Sequence, residues 1–380
     1  MKTPLYILLI LALISCKNES KTELAQTTKG IPLDLKYAEG FIVTEYETYK
    51  LIEILNPWPK ANKTYKYALL TQENAAKTTL NKEEFEAIMT VPLQKIVVTS
   101  TTHIPALELL DVEQTLVGFP GTDYVSSEKT RAQIDNGSVR ELGKNEGINT
   151  EVLLELQPDI VVAFGVDGTN KSMETIEKSG ITVIYNGDWV EKSPLAKAEW
   201  IKFFGVLYNK EQEADSIFNQ IENSYLKAKS IAQKATSKPT VLCGAMHKDV
   251  WYLPNGTSPE AQFLNDANVN YLWSHTKEAG SVALSFEAVF DKAQNASIWL
   301  SPSYYSSYAD LEKSNPHYTQ FDAFQNKNIY TFSNTTGTTG GVLYYELGSA
   351  RPDLVLKDMI KICHPELLVD YETTFFKPLN

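Results

Sequence analysis

Apolar and polar positions follow two rhythms along this chain, and the change from one to the other divides it. Residues 41–49 (FIVTEYETY) and 65–70 (YKYALL) alternate in the manner of half-buried strands. Asn56-Pro57-Trp58-Pro59 lies between them as turn material, so 31–92 predicts a small antiparallel, β-rich extension. From Leu93 the pattern changes. The runs at 95–99 (KIVVT), 115–119 (TLVGF), 159–165 (DIVVAFG) and 181–185 (ITVIY) are short and almost continuously apolar, as strands covered on both faces are. Between them, 104–110, 150–156 and 172–179 carry helical spacing. Strands alternating with helices predict an α/β lobe with a parallel sheet over 93–192.

Residues 194–235 are helical in pattern, with one break near Tyr208-Asn209-Lys210. The piece at 211–235 contains no Gly or Pro. At about 1.5 Å per residue it reaches about 37 Å, so 193–236 predicts linking helices that act as a stiff spacer. The α/β rhythm then resumes. Strands are expected at 239–244, 297–300 and 329–332, and helices at 258–267, 285–293 and 352–363, giving a second lobe over 237–380. Two lobes leave a cleft between them, and in α/β lobes ligands sit at the C-terminal ends of strands.

The N-terminus has its own pattern. Lys2 precedes an apolar run at 5–14, followed by Ser15 and Cys16. This reads as an export signal, and the run falls short of the roughly 20 apolar residues that a membrane span needs. Leu13-Ile14-Ser15-Cys16 resembles the lipobox of bacterial lipoproteins, in which the Cys thiol receives a diacylglycerol and becomes the first residue of the mature chain. The resemblance implies a signal peptide at 1–15, lipidated Cys16 and a polar tether at 16–30. It places the folded part at a membrane surface on the exported side, periplasmic or cell-surface. A free Cys after an ordinary signal is the competing reading.

Composition narrows the function classes. Hydrophobic residues at 43% and charged residues at 22% are ordinary for a globular protein. A net charge of -12 argues against nucleic acid and against broad adhesion to anionic lipid. Besides Cys16 there are only Cys243 and Cys363; an oxidising compartment leaves a disulfide between them open, and buried thiols are the favoured expectation because Cys243 lies in a strand-like run.

One motif occurs in both lobes. At 147–162 and again at 284–299, a cap-like residue leads to a Glu, then an apolar-faced helix, a turn and a strand. Glu151 and Glu287 fall at matching places in the first helical turn. Each Glu favours the positive helix end by about 0.3–1 kcal/mol, which is the plain reading of both. With the long middle helix, Arg351-Pro352-Asp353-Leu354-Val355-Leu356 and His364-Pro365-Glu366-Leu367, the layout over about 93–368 resembles the periplasmic-binding-protein family for ferric siderophores and vitamin B12. The resemblance implies two Rossmann-like parallel-sheet lobes bridged by a long helix, here with the β-rich extension added. It implies a monomeric lipoprotein without catalytic activity. Such a protein would capture a small-molecule metal chelate, foremost an iron–siderophore complex, and deliver it to an ABC permease and ATPase. In that family one Glu on each lobe docks on Arg residues of the permease, and the matching positions are Glu151 and Glu287. A corrinoid or haem ligand fits the same layout.

Candidate cleft residues follow from the strand ends: Thr101, Thr102, His103, Tyr124, Trp251, Tyr252, Trp273, Tyr304, Tyr305 and Tyr344, with Tyr345 among the dense aromatics of the same loops. Aromatic faces with hydroxyl or indole donors suit a ligand that is apolar on its faces and polar at its rim. Arg131 and Arg140 flank the approach to the first-lobe motif, and Arg140 is the basic candidate for an anionic chelate, since Arg pairs well with carboxylate or catecholate oxygens; ion pairing is the plain alternative, and Arg351 reads as helix entry. His103, His247, His275, His317 and His364 share no metal-ligand spacing, no nucleophile elbow or P-loop is present, and no cofactor is implied. A surface glycan-binding or adhesion lipoprotein is the alternative of another class, supported by the aromatics and the extension and opposed by the two-lobe order.

Overall fold

The computed structural model describes residues 29–168, 170–277 and 280–380. The signal peptide, Cys16 and most of the tether lie outside the described residues. The extension forms one five-stranded sheet, β1 (Ile31–Pro32), β2 (Phe41–Glu45), β3 (Lys50–Ile54), β4 (Tyr65–Thr71) and β5 (Ala87–Val91), in sequential order. The first four strands pair antiparallel. β5 departs from the antiparallel expectation, because it returns parallel to β4 after the crossover at 72–86.

The first lobe carries β6 (Ile96–Val98), β7 (Leu116–Phe119), β8 (Arg140–Glu141), the short pair β9 (Gly143–Lys144) and β10 (Gly147–Ile148), then β11 (Ile160–Phe164) and β12 (Thr182–Asn186). Its main sheet runs β12-β11-β6-β7-β8, all parallel. The second lobe has β13 (Thr240–Cys243), β14 (Met246–His247), β15 (Val250–Leu253), β16 (Asn270–Tyr271), β17 (Val282–Leu284), β18 (Ile298–Leu300), β19 (Ile329–Thr331) and β20 (Lys377–Pro378). Its main sheet runs β16-β13-β18-β19-β20. Stripped of the edge strands β8 and β20, each lobe has the order 2-1-3-4, so the plan shared in sequence is shared in topology. The near-continuous apolar strands are buried on both faces, as their composition requires: Ile96, Val97, Val98, Ile160, Val161 and Val162 have no exposed surface.

Helices start where their caps dictate. Asn149 accepts a hydrogen bond from the Val152 amide and opens Thr150–Leu156, and Ser285 does the same for Ala288 and opens Phe286–Ala293. Pro194–Glu199 and Ile201–Leu207 lead to the spacer Glu211–Ala232, with the break at Asn209 in the left-handed region at φ 54°. That helix is 22 residues, or about 33 Å at ~1.5 Å rise. Its first half buries Ala214, Phe218 and Ile221 in the core of the first lobe and extension. Its second half buries Tyr225, Ala228 and Ala232 in the core of the second lobe. One stiff element is therefore cemented into both lobes.

The extension is bolted to the linking helices through buried carboxylates. Glu199, with no exposed surface, accepts the Lys36, Tyr37 and Ala38 amides at 2.7–3.1 Å and pairs with Lys202 at 3.1 Å. Glu191 accepts the Gly40 amide at 2.8 Å and the Trp200 indole at 2.9 Å. Cys243 and Cys363 are buried free thiols. Among the described residues, no helix is long and apolar enough to cross a membrane.

Candidate functional site

The order 2-1-3-4 creates a switch point between strands 1 and 3 of each lobe, where neighbouring connections leave in opposite directions and open a crevice. In the first lobe this lies between the ends of β6 and β11, and in the second between the ends of β13 and β18. The two sets of strand ends face each other. Across the lobes, the Glu346 carboxylate accepts the Ser126 amide at 2.6 Å and the Ser127 amide at 2.8 Å. The Thr339 hydroxyl donates to the Asp123 carbonyl at 2.8 Å, and Gly341 lies so close to the Tyr124 carbonyl that a side chain would have no room. Glu346 is 2% exposed. Burial pushes its carboxyl up to about 7, against the pull of the two amides and with Glu108 adding to the rise.

On the first lobe, the Phe164 amide donates to the Thr99 hydroxyl at 2.8 Å, which ties the end of β6 to the end of β11. The 119–124 turn is organised by Glu141. Burial acts to raise its carboxyl, but the Thr122 hydroxyl and the Gly121, Thr122 and Gly143 amides outweigh that and hold it below the ordinary range. This turn leaves Tyr124 71% exposed. On the second lobe, Ser301 and Ser303 both adopt left-handed backbone, at φ 51° and 54°, on either side of Pro302. Non-glycine residues held there are strained, and such strain gathers at functional loops. The loop presents Tyr304, 71% exposed, with its ring 6.4 Å from that of Tyr345, 43% exposed. Burial pushes the Tyr345 phenol up, and Tyr304 adds to it.

Several sequence candidates are elsewhere. His103 is fully buried, its ring 5.8 Å from Phe204, and burial pushes it down to about 4. It therefore stays neutral in the core and offers nothing to the cleft. Trp251 is also fully buried; its indole donates to the Cys243 carbonyl at 2.9 Å amid Trp299, Tyr318 and Phe321. Trp273 is buried beside Tyr271 with Lys292 over its face. Tyr344 stacks on Phe332 at 4.4 Å, and half-buried Tyr305 packs near Tyr318. These rings fill the second lobe because a strand-end position says nothing of what packs over it. Tyr252 is exposed, but on the small sheet β14-β15-β17 that leads into Phe286–Ala293. Thr101 and Thr102 are half-buried, and Thr102 lines a narrow interlobe gap of about 20 Å³ with Ser349 and Ala350.

The chain has only three Arg residues, and all have carboxylate partners. Arg351 forks onto Asp353 at 2.9 and 3.0 Å. Arg131 bonds Asp135 and the Thr122 carbonyl. Arg140, on the edge strand β8, lies 3.8 Å from Glu155 on the outer helix Thr150–Leu156. Among the described residues, no three His, Cys, Asp or Glu side chains converge as a metal site. Tyr345, one of the loop aromatics, is the more exposed of the pair with Tyr344; the backbone strain at Ser301 and Ser303 is foreshadowed in the sequence only by Pro302.

Glu151 and Glu287 are both exposed and both stand second in their helices, each after a two- or three-residue strand. Their helices lead to β11 and β18, strand 3 of their respective lobes. The two sites are thus equivalent in topology as well as in sequence. The model of the periplasmic binding protein family matches residues 96–336. The chain belongs to that family. An uncharacterized lipoprotein of Methanocaldococcus jannaschii is 25% identical over 97% of this chain and 90% of its own. A second one from that organism is 25% identical over 96% and 94%. Among solved structures, a periplasmic haem-binding protein of Pseudomonas aeruginosa superposes with a TM-score of 0.57 at 17% identity, covering 76% of this chain and 98% of that one. An ABC transporter substrate-binding protein of Listeria monocytogenes gives 0.50 at 21% identity, covering 72% and 99%. At these identities the likeness to the solved structures is one of fold. The family match excludes the extension, whereas the alignments to the two lipoproteins take it in.

Proposed function

We propose that this periplasmic binding protein is the membrane-tethered ligand carrier of an ABC importer for a flat, metal-bearing macrocycle of the haem or corrinoid kind. The observation that carries the reading is the exposed pair Tyr304 and Tyr345 on one side of the interlobe crevice, with exposed Tyr124 on the other. Their faces suit an apolar ring system, and their phenol oxygens suit its metal or its polar edge. An anionic ferric siderophore ranks second. Recognition of its oxygens favours Arg forks, and the three Arg residues are turned to Asp135, Glu155 and Asp353. The haem-binding structural neighbour and the lipoprotein relatives support the reading.

Binding would need no chemistry on the ligand. The two lobes present their strand ends to it, and Glu151 and Glu287 then offer one carboxylate per lobe to cationic groups of the permease. The test is titration of the purified protein with haemin, cyanocobalamin, neutral ferrichrome and anionic ferric enterobactin, read by tryptophan quenching and ligand absorbance. Haemin or cyanocobalamin should bind with submicromolar Kd, and Tyr304→Ala with Tyr345→Ala should weaken it at least tenfold. Tight binding of ferric enterobactin with no response to either macrocycle would overturn the reading in favour of the siderophore.

A further inference from the structure

The extension at 31–92 lies outside the family match, yet one of its side chains reaches the strand ends of the first lobe. Its turn at 56–59 leaves the β sheet and crosses over the ends of β11 and β12. Trp58, 9% exposed, does not join the core of its own sheet. It belongs instead to the separate core on the other face of the first-lobe sheet, which Val97, Leu142, Val161, Ala163, Met173 and Val183 help to form. Its ring meets Tyr185 edge-on at 5.1 Å and Tyr65 at 5.8 Å. At Gly165 a Cβ would fall 2.9 Å from the Trp58 ring, and at Gly168 it would fall 3.5 Å away. At Gly187, just past β12, a Cβ would lie 2.7 Å from the Asn56 carbonyl. Neither Gly165 nor Gly187 has left-handed backbone, so glycine is required there by the closeness of the extension and not by the turn.

The loop after β11 is thereby gripped on two sides. Trp58 lies against Gly165 and Gly168, and the Trp189 indole donates to the Gly165 carbonyl at 3.1 Å. The Phe164 ring, 5.7 Å from Trp189, and the Thr99 hydroxyl fix the loop's root. What the loop leaves outward, beside Asp167 and Gly168, is the apolar side chain of Val166, 64% exposed, at the switch point of the first lobe. An exposed aliphatic side chain on a loop whose flanking residues Phe164, Gly165 and Gly168 meet buried aromatic rings is held in a set position.

We infer that the N-terminal extension is part of the ligand site, with Trp58 as a positioning residue that sets the 164–168 loop and so selects the ring system seated against the first lobe. This rests on the macrocycle reading above. It assigns the extension a role in ligand choice, beyond packing. A ligand with an apolar face is the class that Val166 favours.

Hydrogen exchange and binding test it on the full mature protein. In Trp58→Ala, exchange at 164–168 should rise at least tenfold while amides of the second lobe, β13 and β18 included, stay as in wild type. Haemin and cyanocobalamin affinities should change unequally, shifting their ratio at least threefold; a merely structural loss would lower both alike. Trp58→Phe should keep the wild-type ratio. Because Trp58→Ala opens a hole, Gly165→Ala is the second variant. Alone it pushes on the Trp58 ring and should loosen the same amides, and in the Trp58→Ala background it should do no further harm, a coupling that reports direct contact. Unchanged exchange at 164–168 in Trp58→Ala, or an unchanged affinity ratio where the macrocycles bind, overturns the inference. If wild type binds neither macrocycle, the ligand reading has failed, and the exchange arm still decides whether Trp58 sets the loop.

Discussion

Replacing Glu346 with Gln isolates what the interlobe carboxylate contributes. In wild type its two oxygens accept one amide each, from Ser126 and Ser127, and it sits near Glu108 with almost no exposed surface. Its carboxyl titrates at about 7 in the folded protein, against an ordinary 4.5. Below about pH 4.5 the folded and unfolded chains both hold the proton, and the stability from this group is fully present. Between 4.5 and about 7 only the folded chain holds it, so raising the pH favours unfolding. Above about 7 the contribution is gone. The gap corresponds to about 3 kcal/mol, at about 1.4 kcal/mol for each pH unit. Gln does not titrate. It offers one acceptor and one NH2 group, so one of the two amides faces a donor, a penalty of about 1–2 kcal/mol that does not depend on pH. Urea unfolding of wild type and Glu346→Gln from pH 4.5 to 8, followed by tryptophan fluorescence, separates the two effects. The stability of wild type relative to the variant should fall by about 3 kcal/mol across that range. The difference cancels the other buried carboxylates, such as Glu191 and Asp358, which burial also pushes up. A flat difference would mean that the interface does not hold a proton on Glu346, and the reasoning from burial would be refuted.

Glu199→Ala should destabilise the protein by about 3–5 kcal/mol in the same assay, because it leaves three amides of the extension without their acceptor, while Lys202 keeps Asp215 and the Asp34 carbonyl; a loss under 1 kcal/mol would deny the carboxylate its anchoring role. Glu151→Ala combined with Glu287→Ala should abolish uptake in cells while ligand affinity and melting temperature stay near wild type; surviving uptake returns both residues to the helix-end reading. Small-angle scattering with and without ligand should give nearly superimposable profiles, since Glu211–Ala232 is built into both cores; a contraction of several Å in radius of gyration would contradict that. Cys16→Ala should release the protein from the membrane fraction, and an intact Met1 on mature wild type would rule out the lipid anchor.

The elements were legible because they depend on short-range chemistry. The helices Thr150–Leu156 and Pro352–Cys363 begin and end where cap residues, Pro and apolar spacing place them, and the spacer follows from a stretch without Gly or Pro. The family layout was legible for the same reason, since it is an order of such elements. Tyr124 and Tyr304 lie exposed on loops that follow strand ends, a placement that this order of elements implies.

Tertiary structure alone decided which aromatics stay exposed. Trp251 and Tyr252 are adjacent and equally aromatic in sequence; strand alternation puts them on opposite faces, and only the packing of Trp299, Tyr318 and Phe321 over one face makes Trp251 core. Glu346 meets Ser126 across 220 positions, and Trp58 reaches Gly165 across the boundary between the extension and the first lobe. No local pattern records such contacts, because a residue's burial, charge state and role depend on which distant segments close over it. Local propensity supplied the parts of this molecule, and long-range burial determined which of their side chains are free to bind.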